Sequence, residues 1–269
     1  MNEDILSQIN ELPPLPQTVL HIDEFKRKAD KSPPELATII GKDPLILSTL
    51  LKVANSAMFG FKKRIETSQM AVSLLGVNFT ISLALGSAIK NLVETSLEPY
   101  GADSEKFLET ASQAVVLATR WSSTIDRDLK DRLVLPTFLL ETGKFIIARI
   151  LKNKNLSEVF YEELKSSSSI ADVEKKYIGA STSFITAAIF ERWGLSESLI
   201  DDIRYVDDPS HPENKSVLVS QIIHTVNQVC NIVAPFEERA IQNALGYAHN
   251  IVLKDKELEE IIRNMQESL

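Results

Sequence analysis

Residues that could carry out acid–base, nucleophilic or metal chemistry are few in this chain and lie far apart. Its four histidines, His21, His211, His224 and His249, form no HExxH pattern, and none stands beside an aspartate. Such spacings are what bring imidazoles onto one metal ion. The single cysteine, Cys230, falls in an apolar helical stripe and is expected to be a buried structural thiol. Phosphate-binding loops, dinucleotide fingerprints and GxSxG motifs are also absent, so no familiar catalytic motif is present.

The segment ANSAMFGFKKRIETS combines a dense basic run with aromatic residues. Basic and aromatic side chains together can hold phosphates and stack on bases. The simpler interpretation, which we favour, is a solvated loop whose phenylalanines fold inward. The short polar residues that open the segment are expected to satisfy backbone groups at a helix end. The candidate interaction surface consists of Asn55, Ser56, Phe59, Phe61, Lys62, Lys63 and Arg64.

Charge and composition limit the classes of protein that this chain can belong to. With 269 residues, 44% hydrophobic and 25% charged, it is typical of a folded globular protein. The net charge is −8, from 29 basic and 37 acidic residues, and opposes general binding to nucleic acid or anionic lipid. Residues 1–100 hold 10 basic and 11 acidic side chains, whereas residues 101–269 hold 19 and 26, so any basic binding surface is expected to be local and in the N-terminal part. The lack of a signal peptide, of a long apolar run and of paired cysteines predicts a cytoplasmic protein without a membrane span.

The spacing of apolar residues predicts an all-α protein. Ser32 with Pro33, Pro34 and Glu35 resembles a capping box and predicts a helix from Pro33 to Gly41. Asp43 is expected to cap the next helix, and Ser169 a later one. The helix that follows Asp43, PLILSTLLKVAN, carries one lysine and no arginine, so recognition of the DNA major groove by this helix is weakly supported.

A second group of helices is expected to form the core of the C-terminal half. The stretch from Leu133 to Leu151 is apolar on nearly every side, which predicts one central buried helix. The charged sequence KDKELEEIIRNMQESL suits an exposed terminal helix.

Three sequence blocks carry a resemblance to a known family. LPPLPQTVL, IIGKDPLILSTLLKVANSAMFG and QMAVSLLGV resemble the HDOD domain, a bacterial signalling domain related to HD-type metal-dependent phosphohydrolases. The likeness continues through FLLETGKFII and GASTSFITAAIFERWGL to about Pro209. It implies an N-terminal helical bundle followed by an HD-like helical bundle. The expected divisions are a helical segment at 1–11, an HDOD domain at 12–210 that divides near residue 100, and a C-terminal helical extension at 211–269.

The resemblance also assigns positions to the metal ligands of HD enzymes, and this sequence lacks the histidines at them. Aligning FLLETGKFII with the family's LLHDIGK places Leu140 at the histidine and Glu141 at the aspartate. A later histidine corresponds to Thr182, and the first helical histidine falls near Thr110. The terminal histidine pair corresponds to Val206 and Asp207. We therefore expect no metal and no cofactor, with these positions as a vestigial site.

Carboxylates near the vestigial site leave one alternative open. Glu141, Asp207 and Asp208 would form an oxygen-only Mg²⁺ site if they converged. The simpler interpretation is a solvated helix end for the aspartates. Glu141 itself is expected to need a donor, such as a backbone amide, the Thr182 hydroxyl or an arginine.

These observations predict a non-catalytic bacterial signal-transduction protein that binds a signalling protein partner or a nucleotide second messenger. Related domains are often joined to receiver or second-messenger domains, but about 60 residues follow Pro209. They are too few for such a domain, so the input is expected in trans. The alternative is a divergent metal-dependent phosphohydrolase or phosphodiesterase acting on nucleotides.

Overall fold

The computed structural model describes residues 3–26, 28, 30–61, 63–92 and 96–267, and all regular elements in these ranges are helical. This confirms the all-α prediction. The helices of the N-terminal bundle and of the segment before it are α1 (Glu3–Asn10), α2 (Gln17–Lys26), α3 (Pro33–Gly41), α4 (Pro44–Ala54), α5 (Ser68–Leu75) and α6 (Val77–Leu92).

The HD-like bundle and the C-terminal segment supply the other helices. Those of the HD-like bundle are α7 (Ser104–Ile125), α8 (Leu129–Leu139), α9 (Gly143–Asn153), α10 (Ser157–Ser166), α11 (Ile170–Ile178), α12 (Thr182–Arg192) and α13 (Glu197–Arg204). The C-terminal helices are α14 (Val217–Val229), α15 (Glu238–Asn250) and α16 (Asp255–Gln266). Short 3₁₀ turns cover Ala57–Phe59, Glu98–Tyr100 and Leu140–Thr142.

Two of the predicted helix caps are formed as expected. The Asp43 carboxylate accepts hydrogen bonds from the amides of Leu45 and Ile46, both at 3.1 Å, at the start of α4. The Ser169 hydroxyl accepts from the Asp172 amide at 3.2 Å at the start of α11. Each cap satisfies backbone donors that have no partner inside the helix.

Helix α3 has its predicted bounds, but the predicted capping box does not form. Ser32 holds the N-cap position with an extended backbone, and its side chain makes no capping bond. Glu35 pairs with Lys28 instead. The start of α3 therefore depends on Pro33 and Pro34, since proline has a helical φ and lacks the amide that a first turn leaves unpaired.

The prediction of one helix from Leu133 to Leu151 is wrong. This stretch is buried, but it consists of α8, the turn Leu140–Thr142 and α9. Pro136 lies inside α8, where its missing amide leaves the Arg132 carbonyl without a helical partner. Continuous hydrophobicity indicated burial and could not reveal the break.

Helix α12 packs into this break and satisfies its backbone. The Thr186 hydroxyl donates to the Leu140 carbonyl at 2.7 Å and accepts from the Gly143 amide at 2.8 Å. A Cβ at Gly143 would lie 2.5 Å from the Thr182 carbonyl oxygen. Only glycine therefore allows α9 to begin this close to the first turn of α12.

The two bundles meet where α6 packs against α8. A Cβ at Gly86 in α6 would lie 2.4 Å from a ring carbon of Phe138 in α8, so glycine permits the close approach. Phe138 also contacts Phe79 edge-to-face, with ring centroids 6.0 Å apart.

The C-terminal helices pack against the HD-like bundle through α7. The Trp121 indole in α7 donates to the Lys254 carbonyl at 2.8 Å. Leu258, Ile262 and Met265 bury one face of α16, so the terminal helix is amphipathic rather than exposed on all sides. In the described ranges, no helix is both long and apolar enough to cross a membrane.

Candidate functional site

The vestigial metal positions lie around the break between α8 and α9 and the adjoining start of α12. Leu140 is packed in the hydrophobic core, and its carbonyl accepts the Thr186 hydrogen bond. Thr110 is also buried, and its hydroxyl donates to the Lys106 carbonyl in its own helix at 2.8 Å. Neither side chain offers an atom to a metal ion.

A buried lysine is the centre of this region. The Lys144 ammonium lies 2.9 Å from a Glu174 oxygen and 3.4 Å from a Glu141 oxygen. It also lies 4.8 Å above the centroid of the Tyr100 ring, in a cation–π contact. We call Tyr100, Glu141, Lys144, Glu174 and Thr182 the Lys144 cluster.

Glu174 is the best satisfied member of the Lys144 cluster. One carboxylate oxygen accepts from the Lys144 ammonium and the Tyr100 hydroxyl, both at 2.9 Å, and from the Thr182 hydroxyl at 2.6 Å. The other oxygen accepts from the Thr182 amide at 2.7 Å. Glu174 thus links α11, to which it belongs, to the start of α12 and to the 3₁₀ turn that ends at Tyr100.

Glu141 is the least satisfied member of the Lys144 cluster. It is 5% exposed, and among the described residues its carboxylate faces the Lys144 ammonium and the Asn227 side chain without a hydrogen bond of ordinary geometry. Burial raises the pKa of Glu141; the charge of Lys144 opposes this effect and that of Glu174 adds to it. The donors expected from the sequence do not serve Glu141 in the described ranges: the Thr182 hydroxyl binds Glu174, and the charged neighbour of Glu141 is the Lys144 ammonium, 3.4 Å away.

The carboxylates keep Lys144 charged. Burial on its own lowers the pKa of Lys144, but Glu141 and Glu174 outweigh it and raise the pKa above its ordinary value of 10.5. Burial and the neighbouring Glu174 likewise raise the pKa of Tyr100. At neutral pH the cluster holds an ammonium and a protonated phenol.

Val206 and Asp207 lie beside the cluster at the end of α13. Val206 is fully buried, and its carbonyl lies 2.8 Å from Nδ1 of His224. Asp207 accepts from the Ser183 amide at 2.9 Å, in the first turn of α12. The negative charge of Asp207 raises the pKa of Glu141. Asp208, in contrast, is exposed, and its carboxylate accepts a hydrogen bond from the Ser210 hydroxyl.

The three carboxylates considered for an Mg²⁺ site do not form one. Within the part of the chain that the structure describes, no group of three or more His, Cys, Asp or Glu side chains could hold a metal ion. The residues also do not fit the binuclear centre of HD enzymes, because Lys144 already places a positive charge between Glu141 and Glu174. A metal ion there would be repelled by the ammonium and would lack imidazole ligands.

Asn55, the first residue of the candidate interaction surface, has a structural role. The Asn55 amide donates to the Leu51 carbonyl at 2.7 Å and to the Ile65 carbonyl at 2.8 Å, while its oxygen accepts from the Ile65 amide at 2.8 Å. All of these bonds go to backbone, as expected for a residue at a helix end. Ser56 is exposed at the N-cap of the next 3₁₀ turn.

The aromatic and basic residues of this surface point in different directions. Phe59 and Phe61 are half-buried and stacked, with centroids 5.9 Å apart. Lys63 and Arg64 are exposed and have no ion-pair partner among the described residues, whereas Lys62 lies outside them. The structure thus presents a basic outer edge on a loop closed by Asn55.

Sequence reasoning missed Glu174 and Tyr100, and it used Lys144 only to align the motif. One signal was present for Glu174. Ile170, Glu174 and Ile178 are spaced by four residues, so the carboxylate lies on the apolar face of α11. A lone charge on such a face indicates a buried partner.

The fold and the site together define an all-helical protein with a buried lysine–carboxylate cluster. The HDOD domain family matches residues 12–209, and the chain belongs to this family. This confirms the resemblance drawn from the sequence blocks.

A curated relative is similar to this chain at low identity. An uncharacterized protein of Treponema pallidum (strain Nichols) is 24% identical over 225 residues, which are 81% of this chain and 42% of that protein. This chain therefore spans about two fifths of the length of its curated relative.

Solved structures share the fold. A protein assigned provisionally to signal transduction, from Marinobacter aquaeolei VT8, has a TM-score of 0.70 at 19% identity, over 99% of this chain and 63% of that one. A second protein, assigned provisionally to the phosphohydrolases and from Shewanella amazonensis SB2B, has a TM-score of 0.68 at 19% identity. The match covers 99% of this chain and 95% of that one. At such identities the likeness shows the fold alone.

Proposed function

We propose that this HDOD protein acts in signal transduction by binding a protein partner and does not hydrolyse phosphate esters. The observation that carries the proposal is the buried Lys144 ammonium, 2.9 Å from Glu174 and 3.4 Å from Glu141. It supplies inside the bundle the positive charge that a metal supplies in HD enzymes.

The chemistry of hydrolysis supports the same proposal. Metal-dependent hydrolases lower the pKa of a bound water by holding the metal with several imidazoles and carboxylates. Here the corresponding positions are Leu140, Thr182 and Val206, which cannot bind a metal through an imidazole or a carboxylate. The only unsatisfied carboxylate of the Lys144 cluster is Glu141, whose raised pKa favours the neutral form.

The candidate interaction surface is our choice for the contact with the partner. Asn55 holds the loop closed, and Lys63 and Arg64 stand exposed on it. An acidic partner surface would be attracted to this local charge although the whole chain is negative. Phe59 packs on Phe79 with centroids 5.4 Å apart, and Phe79 packs on Phe138 of α8, so the loop is connected to the HD-like bundle.

Crosslinking tests the binding surface. A pull-down with the native chain should recover a partner that is lost from the double variant Lys63→Glu, Arg64→Glu. The control is Lys256→Glu, an exposed charge reversal on α16. Recovery of the same partner by the double variant would contradict the choice of surface.

Metal analysis and a hydrolysis assay test the absence of catalysis. Purified protein should hold no stoichiometric iron, manganese or zinc and should not turn over cyclic dinucleotides. Stoichiometric metal together with turnover that Glu141→Gln abolishes would overturn the proposal.

The second candidate function is a divergent phosphohydrolase acting on nucleotides. One observation favours it: within the described residues, neither oxygen of the buried Glu141 makes a hydrogen bond of ordinary geometry, so a ligand could compete with Lys144 and Asn227 for this carboxylate. The same hydrolysis assay decides between the two functions.

A further inference from the structure

A groove lies between the two bundles, and its lining includes no residue of the Lys144 cluster or of the candidate interaction surface. It has a volume of about 370 Å³ and is lined by residues of α2 and α6 on one side and of α8 and α13 on the other. This volume is within the usual range for small-molecule sites, about 300–1,000 Å³. We propose that this groove binds a nucleoside monophosphate.

Three basic side chains belong to the lining of the groove. Lys26, Lys31 and Arg132 contribute to the lining, and Lys31 is exposed with no ion-pair partner in the described ranges. They outnumber the acidic residues of the lining, Asp131 and Asp202.

Arg132 is held in place with donors to spare. Its Nε donates to Asp202 at 3.0 Å, and its Nη2 donates to Asp202 and, at 3.0 Å, to Ser216. Asp202 is almost entirely buried, while the Arg132 side chain is 46% exposed. Among the described residues Nη1 has no acceptor, so two of the five guanidinium donors are available to an anion.

Other polar groups in the lining are also available. The Ser196 and Ser198 hydroxyls and the Asn78 side-chain amide make no hydrogen bond with described residues. Ser196 stands at the N-cap position of α13, but its hydroxyl makes no capping bond, so the first two amides of the helix, those of Glu197 and Ser198, make no hydrogen bond with the described residues. Together with Lys31 and Arg132 they form a set of donors suited to a phosphate group.

Apolar side chains also line the groove. Ile81 of α6, Leu135 and Pro136 of α8, and Leu199 of α13 contribute to its lining. A ligand that satisfies both kinds of lining group carries an anion and a flat apolar ring. The exposed Asp131 can accept hydrogen bonds from the hydroxyl or amino groups of such a ligand, which a nucleoside monophosphate provides.

This inference goes beyond the proposed function and does not depend on it. A ligand in the groove would touch α2 and α6 from the N-terminal bundle and α8 and α13 from the HD-like bundle. Its binding free energy would therefore stabilise one arrangement of the two bundles over others.

Calorimetric titration of the full chain with adenosine and guanosine 5′-monophosphate tests the proposal. In low-salt buffer at least one nucleotide should bind saturably, and Lys31→Glu should weaken it by about tenfold or more. Lys256→Glu makes the same change of charge on α16 and should leave the affinity within about twofold. Ser198→Trp, at an exposed lining position, should block binding by filling the groove.

The outcomes that overturn the proposal are distinct. They are the absence of saturable binding by either nucleotide at about 1 mM, equal weakening by Lys31→Glu and Lys256→Glu, and no effect of Ser198→Trp. Inorganic phosphate that binds as tightly as the nucleotide would show an anion site only and would also overturn it. None of these results bears on the partner and hydrolysis tests, so the two proposals fail separately.

Discussion

Removing the charge of Lys144 should destabilise the protein more than any change at the surface. Lys144→Met keeps most of the side-chain volume but leaves Glu174 and Glu141 buried without a cation. Removing one partner of a buried ion pair costs about 3–5 kcal/mol. Glu174 would keep three of its four hydrogen bonds, from Tyr100 and Thr182, so we expect the lower half of this range, about 3–4 kcal/mol.

A change of this size is easy to measure. Domains are stable by roughly 5–15 kcal/mol, and each kcal/mol lowers Tm by about 2–4 °C in a chain of this size, so Tm should fall by about 10 °C. Urea unfolding followed by circular dichroism gives the free energy of unfolding directly. The exposed Lys63→Met is the matched control and should change this free energy by no more than about 0.5 kcal/mol.

A double variant separates charge from packing. Adding Glu174→Gln to Lys144→Met removes the stranded carboxylate, so the double variant should be more stable than the sum of the single effects by at least about 1 kcal/mol. Two results would refute the reasoning: a cost of less than about 1 kcal/mol for Lys144→Met alone, or additive costs in the double variant.

Three further changes follow from the same region. Because burial raises the pKa of Glu141 above its ordinary 4.5, the folded state holds its proton longer than the unfolded state, and stability falls as pH rises from about 4.5 through the folded pKa. Glu141→Gln should cost on the order of 1 kcal/mol and remove this dependence, so the unfolding free energies of the variant and the wild type should converge as pH rises above the ordinary pKa of 4.5; parallel curves would contradict the assignment. Leu140→Asp should lower the free energy of unfolding by several times that amount, by burying an unpaired charge, and a loss below about 1 kcal/mol would show that the position reaches solvent. Gly143→Ala forces a Cβ against the Thr182 carbonyl and should cost about 1–3 kcal/mol in the same urea assay, and an unchanged midpoint would show that α9 can move away.

The sequence identified most of the fold because its signals are local. The bounds of α3 and α4 follow from prolines, from Asp43 and from apolar spacing, all of which act within one or two helical turns. The break in the predicted helix from Leu133 to Leu151 could not be found in this way. The break is stabilised by Thr186, whose hydroxyl donates to the Leu140 carbonyl from 46 residues away in the chain.

The same distinction applies to the candidate site. The sequence alone showed that Leu140, Thr182 and Val206 stand where the family's pattern has histidines, since residue types at aligned positions need no geometry. It named Glu141 as a buried carboxylate in need of a donor, but it could not say which donor. Only the tertiary structure brings Lys144 between Glu141 and Glu174 and puts the Tyr100 hydroxyl on Glu174, 74 residues away along the chain. The physical reason is that helix caps and apolar faces are set by neighbouring residues, whereas the pairing of buried charges is set by which helices pack together.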